Sequence, residues 1–234
     1  MRLWSRIGSA LMLPLLLTGC LLVPGKFSSN LTIHADRTFA FAYKGELIAS
    51  DPAASPADGM PNVNTPQQRA ADAEGNAQDK AAKLKEREDK NRAIAAALSR
   101  ERGYRSVSYR GNGIFDVDYA VDGVLTTNFV FPFNSDAEAM LPLIAVEVRK
   151  DGTVRVRAPA FGRAANQGTA GPSLPMMNDP SDRAEGSFTL ATDAEIIAQN
   201  QEGGARSEGS NKVIVWTVGK IKQDAPTAVL KMRN

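Results

Sequence analysis

Phe39, Phe41 and Tyr43 alternate with Ala40, Ala42 and Lys44, the two-residue period of a strand with one face in a core and the other toward water. Phe27, Leu31 and Ile33 precede Asp36-Arg37, and Leu47 follows the alternating run, so the pattern predicts a β-hairpin over 27–48. The pattern then stops. Residues 50–66 carry Pro52, Pro56, Pro61 and Pro66 among small and polar residues, the composition of a loop or linker.

Residues 67–102 hold no proline and are rich in Ala, Lys, Glu, Asp, Gln and Arg, with Gly103 where a helix would stop. One long helix is predicted, firmest over 79–102. Its large apolar positions, Leu84, Ile94 and Leu98, are too sparse for a coiled-coil seam and fit a solvated helix with one narrow face on a sheet. From residue 104 the period returns to two. Strands are expected over 104–109, from Ile114 to Val121 into an Asp122-Gly123 hairpin turn, and over 124–133. A further hairpin over 143–157 has Val146, Val148, Val154 and Val156 alternating with Glu147, Arg149, Arg155 and Arg157. A second irregular stretch spans 158–184. Strands follow at 185–191, 213–218 and 227–232, with another around 195–199 that would pair with the strand before it through Thr192-Asp193. The expected fold class is α+β: a largely antiparallel twisted sheet of about seven to nine strands, with one long helix packed on or beside it.

The first residues have a different logic. Arg2 and Arg6, an apolar stretch from Ile7 to Leu17, and Leu17-Thr18-Gly19-Cys20 have the layout of an export signal ending in a lipobox. Small residues beside the cut suit the processing enzyme, and the thiol is what the diacylglyceryl group is transferred to. Cys20 is the only cysteine of the chain. Pro14 interrupts the apolar stretch, which falls short of the roughly 20 residues of a bilayer span. The expected organisation is therefore a signal peptide over 1–19, an acylated tether over 20–26, and one α+β domain over 27–234. Absence of Asp after Cys20 favours the outer over the inner membrane, by the sorting rule of Gram-negative lipoproteins.

Cleavage changes the charge picture. The precursor has 28 Lys+Arg and 26 Asp+Glu, and losing Arg2 and Arg6 leaves both at 26. No net basic field remains to attract nucleic acid, so membrane attachment rests on acyl chains. With Cys20 acylated no disulfide forms within the domain.

Catalytic constellations are missing from the sequence. One histidine, His34, and one acylated cysteine remove Ser-His-Asp, Cys-His and common zinc sites. Asp116 and Asp118 share a strand face and could bind a hard cation, but outward polar positions of a strand look the same. No enzyme, cofactor or metal is expected. The stronger signal is Phe129-Val130-Phe131-Pro132-Phe133, three phenylalanines on one face: either core, or the wall of an apolar cavity or membrane-facing edge, the proline arguing against a central strand. Met176-Met177 in the 158–184 loop adds an adaptable apolar element. Phe129, Phe131, Phe133, Met176 and Met177 are thus the candidate ligand contacts, and Cys20 the lipidation site.

The run Gly186-Ser187-Phe188-Thr189-Leu190-Ala191-Thr192-Asp193-Ala194-Glu195-Ile196-Ile197, with Val215-Trp216-Thr217-Val218 and Ala225-Pro226-Thr227-Ala228 after it, resembles the LppM lipoprotein domain family. The resemblance covers the export signal, the first hairpin and the last third of the chain; the Pro-rich segment and the long helix differ. It implies a lipobox joined to a domain of sheet and helix and, because the characterised type is linked to envelope glycolipid binding, a lipid ligand. It carries no catalytic residue. The expected function is a lipid-anchored, non-enzymatic periplasmic envelope protein binding an apolar or amphipathic, lipid-like ligand or a membrane surface. The alternative is an assembly or scaffold factor that engages another envelope protein.

Overall fold

The computed structural model describes residues 21–50, 66–132, 142–162, 183–219 and 224–233. Among them a first hairpin pairs β1 (Leu21–Ile33) with β2 (Thr38–Ser50). A 33-residue helix, α1 (Pro66–Leu98), leads to β3 (Tyr104–Gly111) and β4 (Ile114–Val124). The chain continues through β5 (Phe129–Phe131), β6 (Ile144–Val148), β7 (Thr153–Arg157), β8 (Glu185–Thr192), β9 (Glu195–Gln199), β10 (Arg206–Glu208), β11 (Asn211–Val218) and β12 (Thr227–Lys231). The strands form two sheets, a seven-stranded one in the order β10-β11-β8-β1-β2-β4-β3 and a five-stranded one in the order β5-β6-β7-β12-β9. The class is α+β, with every neighbouring pair antiparallel except β1 and β8.

Local chemistry sets two of the hairpins, β1–β2 and β6–β7, by one device. Asp36 accepts hydrogen bonds from the Thr38 amide and hydroxyl at 2.9 and 2.7 Å, and Asp151 does the same for Thr153 at 3.0 and 2.6 Å. These bonds to the ionised form hold both carboxyls below the usual carboxylate range, the Thr hydroxyl contributing most. Arg37 takes a positive φ of 73° in the first turn.

Both sheets bury one face in a single core. Leu31, Ile33, Phe41, Tyr43, Phe115, Phe188, Leu190 and Trp216 come from the larger sheet, and Phe131, Val146, Val154, Val156 and Leu230 from the smaller. The alternation read from the sequence is realised: Phe41 and Tyr43 are buried while Ala40 and Lys44 are exposed. Helix α1 packs on β3 through the buried Asn91, Ala95 and Leu98. Its hydroxyl-centred clasp is Tyr109, which donates to Glu88 Oε1 at 2.8 Å and accepts from Asn91 Nδ2 at 3.1 Å and from the Gly113 amide at 2.9 Å. Tyr109→Phe removes three bonds at once and leaves donors on Asn91 and Gly113 unmatched, an effect of about 1–3 kcal/mol. Hydrogen-exchange mass spectrometry should show faster exchange over 88–98 with the sheet strands unchanged.

Four expectations change. The strands number twelve among the described residues and lie in two sheets, not one of seven to nine. Asp122-Gly123 is no hairpin turn: both residues lie inside β4, with Asp122 opposite Ala40 and Gly123 opposite Phe39. The chain then crosses to the smaller sheet, tied down where the Leu125 amide donates to Arg37 O at 2.8 Å and Asn128 Oδ1 accepts from the Val148 amide at 2.9 Å. Likewise β9 pairs with β12 rather than β8. The crossing at Thr192–Ala194 is fixed because Thr192 Oγ1 accepts from the Ala194 amide and Asp193 Oδ1 from the Ala35 amide at 2.7 Å. Finally, residues 21–26, read as tether, belong to β1. Pro24 is tolerated there because β8 pairs with β1 only from Lys26 onward, so β2 alone flanks the first residues of the strand.

Candidate anchoring site and aromatic core

Leu21 stands opposite Ser50, Leu22 opposite Ala49 and Val23 opposite Ile48. Leu22 and Val23 are buried, so the strand is held by packing from its second residue. Cys20, itself outside the described residues, precedes this strand by one peptide unit, a Cα step of about 3.8 Å.

Just beyond, β1 bulges between Pro24 and Phe27 and is gripped from both sides. On one side Gly45 of β2 lies so close that a Cβ would fall 2.3 Å from Lys26 O. On the other, Gly186 of β8 would place a Cβ 1.9 Å from Phe27 O. The Phe27 ring stacks on Phe161 at 4.2 Å, tying in a one-turn 3-10 helix over Pro159–Phe161. Glu46 adds a polar clamp: its Oε2 accepts from the Lys26 amide at 3.1 Å, and its Oε1 meets Arg110, whose Nε lies 2.8 Å from Asp116.

The Lys26 amide first, and Arg110 next, hold the Glu46 carboxyl below its ordinary value. A carboxyl depressed on folding stabilises the fold above its unfolded pKa of about 4.3 and loses that contribution as pH falls through the folded value. Glu46→Gln should therefore be less stable than the parent at neutral pH, by about 1 kcal/mol at most for so accessible a cluster. The difference should shrink in acid, as urea titrations at pH 7 and pH 3 would show.

The aromatic candidates separate. Phe131 is 1% exposed and sits across the sheets from Phe41, Tyr43 and Tyr119, with ring centroids 5.1, 5.2 and 4.6 Å away. It is a core residue and presents no surface to a ligand. Phe129 is half-buried against Phe39 and Phe41 at 5.2 and 5.3 Å. The strand carrying both is the edge of the smaller sheet, as the proline after it suggested. Phe133, Met176 and Met177 lie outside the described residues.

Asp116 and Asp118 do share a face, and Asp116 is paired with Arg110. Among the described residues, no three of His, Cys, Asp and Glu converge as metal ligands, and no helix is long and apolar enough to cross a membrane. His34, at the first turn, is 3.5 Å from Asp193, which also pairs with Arg233 at 3.3 Å. Sequence reading missed an open groove of about 520 Å³ between β9, β10 and β11, lined by Ile196, Ile197, Ala198 and Ala205 among others. The half-exposed Ile197 was its only local sign.

No protein-family model matches the chain, and no curated protein does. Among solved structures, the NMR structure of the folded domain of Mycobacterium tuberculosis LppM is similar at 17% identity, covering 93% of each chain with a TM-score of 0.33. That is a weak structural relationship.

Proposed function

We propose that this chain is a non-enzymatic lipoprotein of the bacterial cell envelope, held on a membrane by acyl chains on Cys20. Its two-sheet domain faces the periplasm and binds an amphipathic, lipid-like ligand or the membrane surface. The observation that carries the reading is how closely the lipobox Leu17-Thr18-Gly19-Cys20 precedes the packed fold: Leu22, two residues after the cysteine, is already paired with Ala49 and buried. Cleavage there removes none of the described strands. With Phe131 in the core, the apolar residues kept as ligand contacts are Phe129 at the sheet edge and Phe133, Met176 and Met177.

The test has two arms. Cys20→Ala should abolish metabolic labelling with palmitate and shift the protein out of the membrane fraction or leave it uncleaved. Gently purified parent protein should release a lipid into organic solvent in addition to its own covalent chains. Labelling that survives Cys20→Ala would sink the anchor, and an extract free of lipid, with no uptake of added lipids, would sink the ligand.

A second reading, a scaffold for another envelope protein, is favoured by the β9 groove. The outer edge of β9 ends the smaller sheet beside β10, which ends the larger, and such an edge can accept an extended segment by strand addition. A photo-crosslinker at Ile197 that captures one discrete periplasmic partner would favour it over the lipid reading.

A further inference from the structure

A row of contacts across the larger sheet brings the start of β1, the β3–β4 turn and α1 to one end of the domain. Leu22 pairs with Ala49, the Ala49 amide donates to Gly113 O at 2.8 Å, and the next residue, Asn112, donates its amide to Glu88 Oε1 at 3.1 Å. Leu22, two residues after Cys20, the β3–β4 turn and Glu88 of α1 therefore lie side by side at one end.

From Glu88 the helix runs antiparallel to β3, with Asn91 beside Tyr109 and Leu98 close before the start of the strand at Tyr104. Its preceding part, 66–87, runs the other way, beyond the turn, for about 33 Å at 1.5 Å per residue. Residues 81–87 are exposed on every side, Leu84 included at 44%. Between Lys80 and Arg87 stand four cations, Lys80, Lys83, Lys85 and Arg87, against the single carboxylate of Glu86.

A domain joined by one peptide unit to a lipid in the bilayer has little room to stand off. Upright strands would drive this charged helix into the hydrocarbon, where each Lys or Arg is strongly disfavoured, and the helix is not apolar enough to cross.

We propose, resting on the lipid-anchor reading, that the domain lies on its side against the membrane that holds its acyl chains. The overhang of α1 is then flat along the headgroups and the β3–β4 turn touches the surface. The exposed cations Lys83, Lys85 and Arg87 complement anionic headgroups there, each cation near such a surface contributing about 1 kcal/mol. The opposite end of the sheet, where Val124 is 55% exposed, faces water.

The test uses the full lipidated protein in vesicles of phosphatidylethanolamine and phosphatidylglycerol. Single spin labels are placed on Ala82→Cys, Asn112→Cys and Val124→Cys, with Cys20 occupied by its lipid. Labels at 82 and 112 should be several-fold less accessible to a water-soluble relaxation agent than the label at 124. In vesicles of phosphatidylcholine, which offer the cations no anionic headgroup, a Gly-Ser linker inserted between Cys20 and Leu21 should bring all three to the same high accessibility.

Equal accessibility in the unmodified chain would overturn the proposal, as would shielding that survives the linker, since the short connection would then not set the posture. Mass analysis of the N-terminal peptide keeps the two claims apart. An unacylated Cys20 would sink the anchor itself, whereas an acylated Cys20 with equal accessibilities would sink only the posture.

Discussion

Phe131→Ala will lower the stability of the domain by about 3–5 kcal/mol, the range for truncating a buried phenylalanine. The ring is 1% exposed and meets Phe41, Tyr43 and Tyr119 from the opposite sheet. Its removal takes apolar surface out of the core and forfeits three ring contacts that join the two sheets. Those rings sit in strands hydrogen-bonded within their own sheet, so they cannot close the gap without breaking ladder bonds. Against a total of about 5–15 kcal/mol for an ordinary domain, much of the margin would go. Guanidinium titration of the detergent-solubilised protein, followed by tryptophan fluorescence from Trp216, checks it. A midpoint unchanged from the parent would place Phe131 on the surface and restore it as a ligand contact.

The second large effect is a substitution that adds a single methyl group. Gly186→Ala would place Cβ 1.9 Å from the carbonyl oxygen and 2.8 Å from the carbonyl carbon of Phe27. Both are backbone atoms in the middle of a paired strand, so no side-chain rotation relieves the overlap. The parallel β1/β8 ladder must open, at about 3 kcal/mol or more, the upper end for overpacking. Gly45→Ala on the other side of β1 meets Lys26 O at 2.3 Å and Phe27 Cα at 2.5 Å with φ at +154°, and should behave alike. Both variants should show fast hydrogen exchange over 21–33 before the rest of the core opens. Protection equal to the parent in both would mean that β1 is not clamped at Phe27.

Much of the fold was readable because alternation reports faces directly. The pairs Phe41/Tyr43 and Val154/Val156 fill the core as their period required, and the helix stops before Gly103, which takes a positive φ of 96°. Alternation does not report partners. Asp122-Gly123 looks like a hairpin turn, yet it runs straight through β4 because Ala40 and Phe39 are there to pair with. The crossings at 125–128 and 192–194 depend on distant groups, Arg37 O and the Ala35 amide, that no local window contains. For the same reason β9 reads locally as a partner of β8 rather than of β12, whose Val229 pairs with Ala198 from 31 residues further along the chain.

The candidate site was readable at Cys20 as a motif and ambiguous at the aromatics. A run of phenylalanines on one strand face is the same pattern whether it lines a cavity or fills a core, and only the opposing sheet decides it for Phe131. Residues 21–26 read as tether because Pro24-Gly25 looks irregular, yet they lie in β1. In the fold, both residues are absorbed by a bulge beside Gly45.

The central claim is that Cys20 is the acylated first residue of the mature chain, two residues ahead of the buried Leu22. The most direct measurement is the mass of the N-terminal peptide from protein purified out of membranes. The expected result is a peptide beginning at Cys20 and heavier than its sequence by a diacylglyceryl group, with or without a further amide-linked acyl chain. A peptide that begins elsewhere, or carries a free thiol at Cys20, would contradict it.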